Sequence, residues 1–216
     1  LGYVVVQTAN DIGTFLSALP ILGYFSVAQW ALFTSLVLIA VACIIMGAGI
    51  PTTATYIILV AVAAPALAVL EVQPIVAHFF VFYYGVLADI TPPVALAAFA
   101  ASSVAKCQPM ETGFEAMRIG TVIYFIPFFF VFNPALLLQG SFVEVSIVCA
   151  TALVGILLVS AGLQGWLVGL GSLGTGFMSY IGRFSLGIGG LTLAAPGGGM
   201  LGLDHTTLLF AAIIIS

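Results

Sequence analysis

The chain has 216 residues, of which 63% are hydrophobic and only 5% carry a formal charge, against about 25% charged in an ordinary soluble domain. Water could not cover so much apolar surface with so few polar groups, whereas a lipid bilayer acts as solvent for it, so the composition points to an all-α polytopic membrane protein. Seven acids and three bases give a net charge of −4, which excludes a basic surface for nucleic acid.

A transmembrane helix needs about 20 mostly apolar residues to cross the hydrocarbon core. The chain opens at Leu1 without an initiator Met and shows no signal peptide. It closes inside the apolar run Ile213-Ile214-Ile215-Ser216, so it reads as a fragment. Asp11, after Thr8-Ala9-Asn10, marks a possible polar break near the start. Three segments then have the length and apolarity of full spans: Val27 to Met46, Ile119 to Leu138 and Val145 to Val168. Ala54 to Leu70 is apolar but follows an interruption, and Ile75 to Ala105 is divided in its middle, so its two arms read as one discontinuous span. Beyond Gly169 the chain is Gly-rich, with a short apolar stretch from Phe184 to Ala195 and a last helix expected to begin near Asp204.

Three cations orient the chain. Lys106 and Arg118 flank the connection before the Ile119 span, and Arg183 follows the Val145 span. Two crossings separate Arg118 from Arg183, which returns them to one side, and the positive-inside rule makes that side cytoplasmic.

Two interruptions carry the functional signal. In Gly47-Ala48-Gly49-Ile50-Pro51-Thr52-Thr53, two glycines and a proline end a helix inside apolar sequence. Unwound backbone at that depth must be buried in protein or line a wet cavity, where free carbonyls can coordinate a cation. The same letters would also serve an ordinary turn at the membrane surface. Asp89-Ile90-Thr91-Pro92-Pro93 is the second interruption. Its prolines remove two amide donors and free carbonyls of the preceding turn. Two oxygen-rich breaks about 40 residues apart suit a cation site shared between them. Asp89 would ligate that cation, cap the half-helix after Pro93, or lie near an interface. His78 reads as a hydrogen-bonding residue rather than a proton carrier. Cys43, Cys107 and Cys149 have no metal-ligand spacing.

Other patterns carry less. Gly169-Leu170-Gly171-Ser172-Leu173-Gly174 matches GxGxxG, but it follows a membrane helix rather than a strand. Gly165 and Gly169 have the GxxxG spacing of close helix packing. HExxH, P-loop and GxSxG motifs are absent from the sequence, and no enzyme is expected.

The ordered set of motifs resembles the large membrane subunit of tripartite ATP-independent periplasmic (TRAP) transporters in its fused-permease form. The resemblance runs through Gly47 to Ala54, Ala64 to Leu67, Ala77 to Tyr83, Ile90 to Ala97, Thr112 to Ala116, Ile126 to Phe128 and Asn133 to Leu137. It implies residues 1–140 as the second repeat of the transport region and 141–216 as additional C-terminal helices. The implied architecture is half of an elevator-type carrier, with a re-entrant hairpin and a broken transmembrane helix. Gly47, Gly49, Pro51 and Thr52 would form the hairpin tip, with Thr53 joining them in the sodium site; Ala88, Asp89, Thr91, Pro92 and Pro93 would form the helix break. Sodium would be the coupling ion, with no other cofactor. The partners implied are a periplasmic substrate-binding protein and a small organic anion, in the inner membrane of a bacterial or archaeal cell. Asp89 stands where a small or apolar residue is expected. The rival readings are an ion-coupled carrier or channel without a binding protein, and a non-transporting structural subunit.

Overall fold

The structure is a computed structural model that describes residues 2–19, 25–167, 171–172, 174 and 176–194. It is almost wholly helical and divides into two compact units, Leu1–Met117 and Arg118–Ser216.

The first unit begins with α1 (Gly2–Ser17). Asp11 lies in the interior of this helix on its exposed face, so no break occurs there; its carbonyl accepts the Thr14 hydroxyl at 2.7 Å. α2 (Val27–Gly47) starts with a reciprocal cap. The Ser26 hydroxyl accepts from the Gln29 amide, and the Gln29 side chain accepts from the Ser26 amide at 2.8 Å. The two helices approach closely at Gly13, where an added Cβ would stand 3.0 Å from the Val27 carbonyl. After a four-residue turn (48–51), α3 (Thr52–Val69) returns, starting behind Pro51 and carrying Pro65 inside it. Pro74 opens α4 (Pro74–Leu87), which tightens into a 3-10 turn over Ala88–Ile90. Pro92 and Pro93 end that run, and α5 (Leu96–Ala105) begins behind Ala95, whose φ of 36° is left-handed. Lys106, also left-handed, terminates α5, and α6 (Pro109–Ile119) follows. The interruption expected between Ile75 and Ala105 is therefore present, dividing two shorter apolar helices, α4 and α5.

The second unit departs from expectation at its first element. Ile119 to Leu138 is not one continuous span. It folds as a 3-10 turn (Thr121–Tyr124), α7 (Ile126–Phe132) and a second 3-10 turn (Pro134–Leu137). Gly120 follows the end of α6, and Pro127 occupies the start of α7. Asn133 then turns the chain, its side chain accepting the Ala135 amide at 2.9 Å. α8 (Phe142–Gln164) is capped by the Ser141 hydroxyl and begins and ends a few residues before the expected span. Gly165, at φ 70°, stops it. A two-residue antiparallel ladder follows, β1 (Trp166–Leu167) with β2 (Gly171–Ser172). α9 (Phe177–Ala194) is longer than the short stretch expected there. Asp204 and half of the GxGxxG segment lie outside the described residues.

α8 and α9 form the most extensive helix pair of this unit, and small residues make it possible. An added Cβ on Gly155 would fall 2.5 Å from the Gly190 carbonyl, and one on Gly162 would fall 2.5 Å from the Arg183 carbonyl. The close packing therefore centres on Gly155, Gly162 and Gly190; Gly169, of the expected Gly165–Gly169 pair, lies outside the described residues.

Three helices among the described residues are long and apolar enough to cross a bilayer: Val27–Gly47, Thr52–Val69 and Phe142–Gln164. Their outer faces are as apolar as their inner ones. Ile45, Ile57, Leu153 and Leu157 are all exposed while Leu36, Leu67 and Val159 are buried. Only lipid makes such a surface favourable.

Candidate functional site

The first unit brings the two sequence interruptions into contact. α2 ends at Gly47, which is buried, and its neighbour across the packing is the last turn of α4 with the following 3-10 turn. A Cβ added at Gly47 would lie 2.6 Å from the Ala88 Cβ and 3.0 Å from the Gly85 carbonyl oxygen. Carbon atoms pack at about 3.5–4.0 Å, so only glycine permits this approach. Ala88 is itself buried and small, and completes the fit.

Thr55 closes the same junction from α3. It is fully buried, its methyl stands 4.0 Å from the Cβ position of Gly85, and its hydroxyl donates to the Ile50 carbonyl at 3.2 Å. Its amide donates to the Pro51 carbonyl at 3.0 Å. One residue thereby ties the turn back onto the first turn of the next helix. On the other side Thr91 plays the matching part: its hydroxyl donates to the Leu87 carbonyl at 2.7 Å and its amide to the Ala88 carbonyl at 3.1 Å. Pro93 has no N–H and cannot donate to the Asp89 carbonyl. α6 also reaches this break, since a Cβ on Gly113 would come within 2.9 Å of the Pro92 ring.

The remaining residues of the two segments divide by exposure. Gly49 is exposed, with nothing within 4 Å of its Cβ position, and Pro51, Thr53 and Pro93 are exposed as well. Thr52, Asp89 and Pro92 are half-buried. Asp89 does not cap the following helix, because the cap position of α5 is Ala95 and no side chain bonds there. His78 is half-buried on α4, with Nδ1 2.8 Å from the Tyr56 hydroxyl of α3. This is the hydrogen-bonding role expected of it. Among the described residues, no three His, Cys, Asp or Glu side chains gather as a metal cluster. The oxygens concentrated at the junction are backbone carbonyls and threonine hydroxyls, ligands that suit a hard monovalent cation at an unwound backbone.

Neither Gly85, whose carbonyl oxygen meets the Cβ position of Gly47, nor Gly113, whose own Cβ would meet the Pro92 ring, was singled out by the sequence reading. Gly85 is the one small residue ending the bulky run Phe79-Phe80-Val81-Phe82-Tyr83-Tyr84. That pattern is the signal that could have found it.

No curated protein and no solved structure matches this chain. Residues 4–145 match the family described as "Tripartite ATP-independent periplasmic transporter, DctM component". That stretch covers both interruptions and the elements that bring them together, and it makes the chain part of a membrane-embedded transporter component. The chain belongs to the DctM family, the permease component of tripartite ATP-independent periplasmic transporters.

Proposed function

We propose that this chain carries half of the cation site of a sodium-coupled carrier that takes up a small organic acid delivered by a periplasmic binding protein. The carrier works in the inner membrane of a bacterial or archaeal cell. Residues 1–140 are its transport region and 141–216 its additional C-terminal helices.

The observation that carries the reading is the packing of Gly47 against Ala88 and the Gly85 carbonyl. It makes the hairpin tip and the helix break one structural unit, so an ion held there couples two elements. Gly47 and Ala88 set the close approach. Thr55 and Thr91 hold the unwound backbone in shape through their hydroxyls. Gly49, Thr52 and Thr53 present backbone and hydroxyl oxygen at the tip, while Pro51 sets where α3 begins and Pro92 and Pro93 keep the break open. Asp89 adds a carboxylate beside the break that would strengthen the hold on a cation.

Uptake by the full-length transporter in proteoliposomes tests the reading. Transport of organic acids should require both an inward sodium gradient and the cognate binding protein. Equal rates in a potassium gradient would remove the coupling ion from the proposal, and full rates without the binding protein would remove the partner.

A further inference from the structure

The second unit contains a cavity of about 400 Å³ bounded by the 3-10 turn at Thr121–Tyr124 and by α8 and α9. Its walls are apolar, formed by Phe125, Val159, Leu163, Ile188 and Leu191. One end holds a cation. Arg183 turns back to the C-terminal end of α8, where Nε donates to the Gly162 carbonyl at 2.9 Å and Nη2 to the Leu163 carbonyl at 2.8 Å. Those carbonyls belong to the last turn of the helix and have no partner within it. The negative end of the helix dipole favours the guanidinium at the same point. Tyr180 flanks it, with the guanidinium carbon 5.6 Å from the ring centroid. Gly165 leaves it room, since a Cβ there would lie 3.0 Å from that carbon.

The guanidinium is thus fixed in place without being neutralised. It has five N–H donors, and these two hydrogen bonds use two of them; the others meet no acceptor among the described residues. From Arg183 to Leu191 the cavity follows α9 for about 12 Å, at about 1.5 Å per residue. A free anion would match the cation but leave the apolar walls uncovered. An uncharged apolar ligand would do the reverse. The combination fits a phosphate joined to a hydrocarbon chain. Anionic lipids are attracted to basic pockets of that kind.

We propose that this cavity is a binding site for an anionic phospholipid, its phosphate on Arg183 and one acyl chain in the trough along α8 and α9. Gly187 provides a test that spares the Arg183 hydrogen bonds, because it lines the cavity and a Cβ there meets nothing within 4 Å. The purified full-length transporter would be delipidated, offered phosphatidylglycerol or phosphatidylcholine, and examined by native mass spectrometry. Phosphatidylglycerol should be retained about tenfold better than phosphatidylcholine, as expected of a charge-assisted contact. Gly187→Leu should lower its retention about tenfold while the melting temperature holds, and Arg183→Gln should abolish the preference between headgroups. Equal retention of the two lipids, or retention unchanged in Gly187→Leu, would overturn the proposal. Displacement of the lipid by millimolar inorganic phosphate would assign the site to a free anion and overturn it equally.

Discussion

Gly47 and Gly49 are two residues apart and do opposite things. A methyl at Gly47 would collide with Ala88, whereas one at Gly49 would enter open space. Overpacking of this kind costs about 1–3 kcal/mol, so Gly47→Ala should lower the melting temperature of the full-length protein measurably. Gly49→Ala should leave it unchanged. If Gly47→Ala melted like the parent, the contact between the two interruptions would be in error. Ser35 offers a second test at this scale. Its hydroxyl is fully buried in α2 and has no hydrogen-bond partner among the described residues. An unpaired buried hydroxyl costs about 1–3 kcal/mol, and Ser35→Ala should therefore stabilise the protein to thermal unfolding; a clear loss of stability would show that the hydroxyl has a role the packing does not reveal. Of the residues at the junction, the glycines, prolines and threonines of the two interruptions were legible in the sequence, since each breaks a helix for a known backbone reason. Their contact was not. It depends on Gly47 meeting the small Ala88 and the Gly85 carbonyl where the end of α4 and the following turn reach α2, and a single sequence does not state which helices are neighbours.

Among the elements, those with both a length and a stop signal were legible. α2 has a capping serine before it and a glycine at its end, and the reading placed it within a residue. The Ile119 to Leu138 segment is apolar enough for a span, yet Gly120, Pro127 and the Asn133-Pro134 pair, all visible in the chain, break its helix. Apolar composition reports that a segment avoids water; it does not report whether the backbone can stay helical. The α8–α9 pair is the element-scale counterpart of Gly47. A valine at Gly155 would set carbon 2.5 Å from both the Ala194 nitrogen and the Gly190 carbonyl, backbone atoms that cannot rotate away. Gly155→Val should therefore separate the two helices and render the second unit sensitive to protease, whereas Gly182→Ala, which meets open space on α9, should leave it resistant. Equal resistance in both variants would contradict the packing.

For the whole molecule, the central claim is that the joined interruptions hold a sodium ion. A ligand that binds only the folded state raises its stability, by about 2.7 kcal/mol at a hundredfold excess over Kd. This makes the claim testable before any substrate is known. The most direct measurement is the melting temperature of the full-length transporter in sodium chloride against potassium chloride at equal ionic strength, for the parent and for Gly49→Val. The parent should melt higher in sodium. Gly49→Val should match the parent in potassium, because its side chain points into open space, and should lose the gain in sodium. A parent that melts alike in both salts, or a variant that keeps the full sodium gain, would contradict the account.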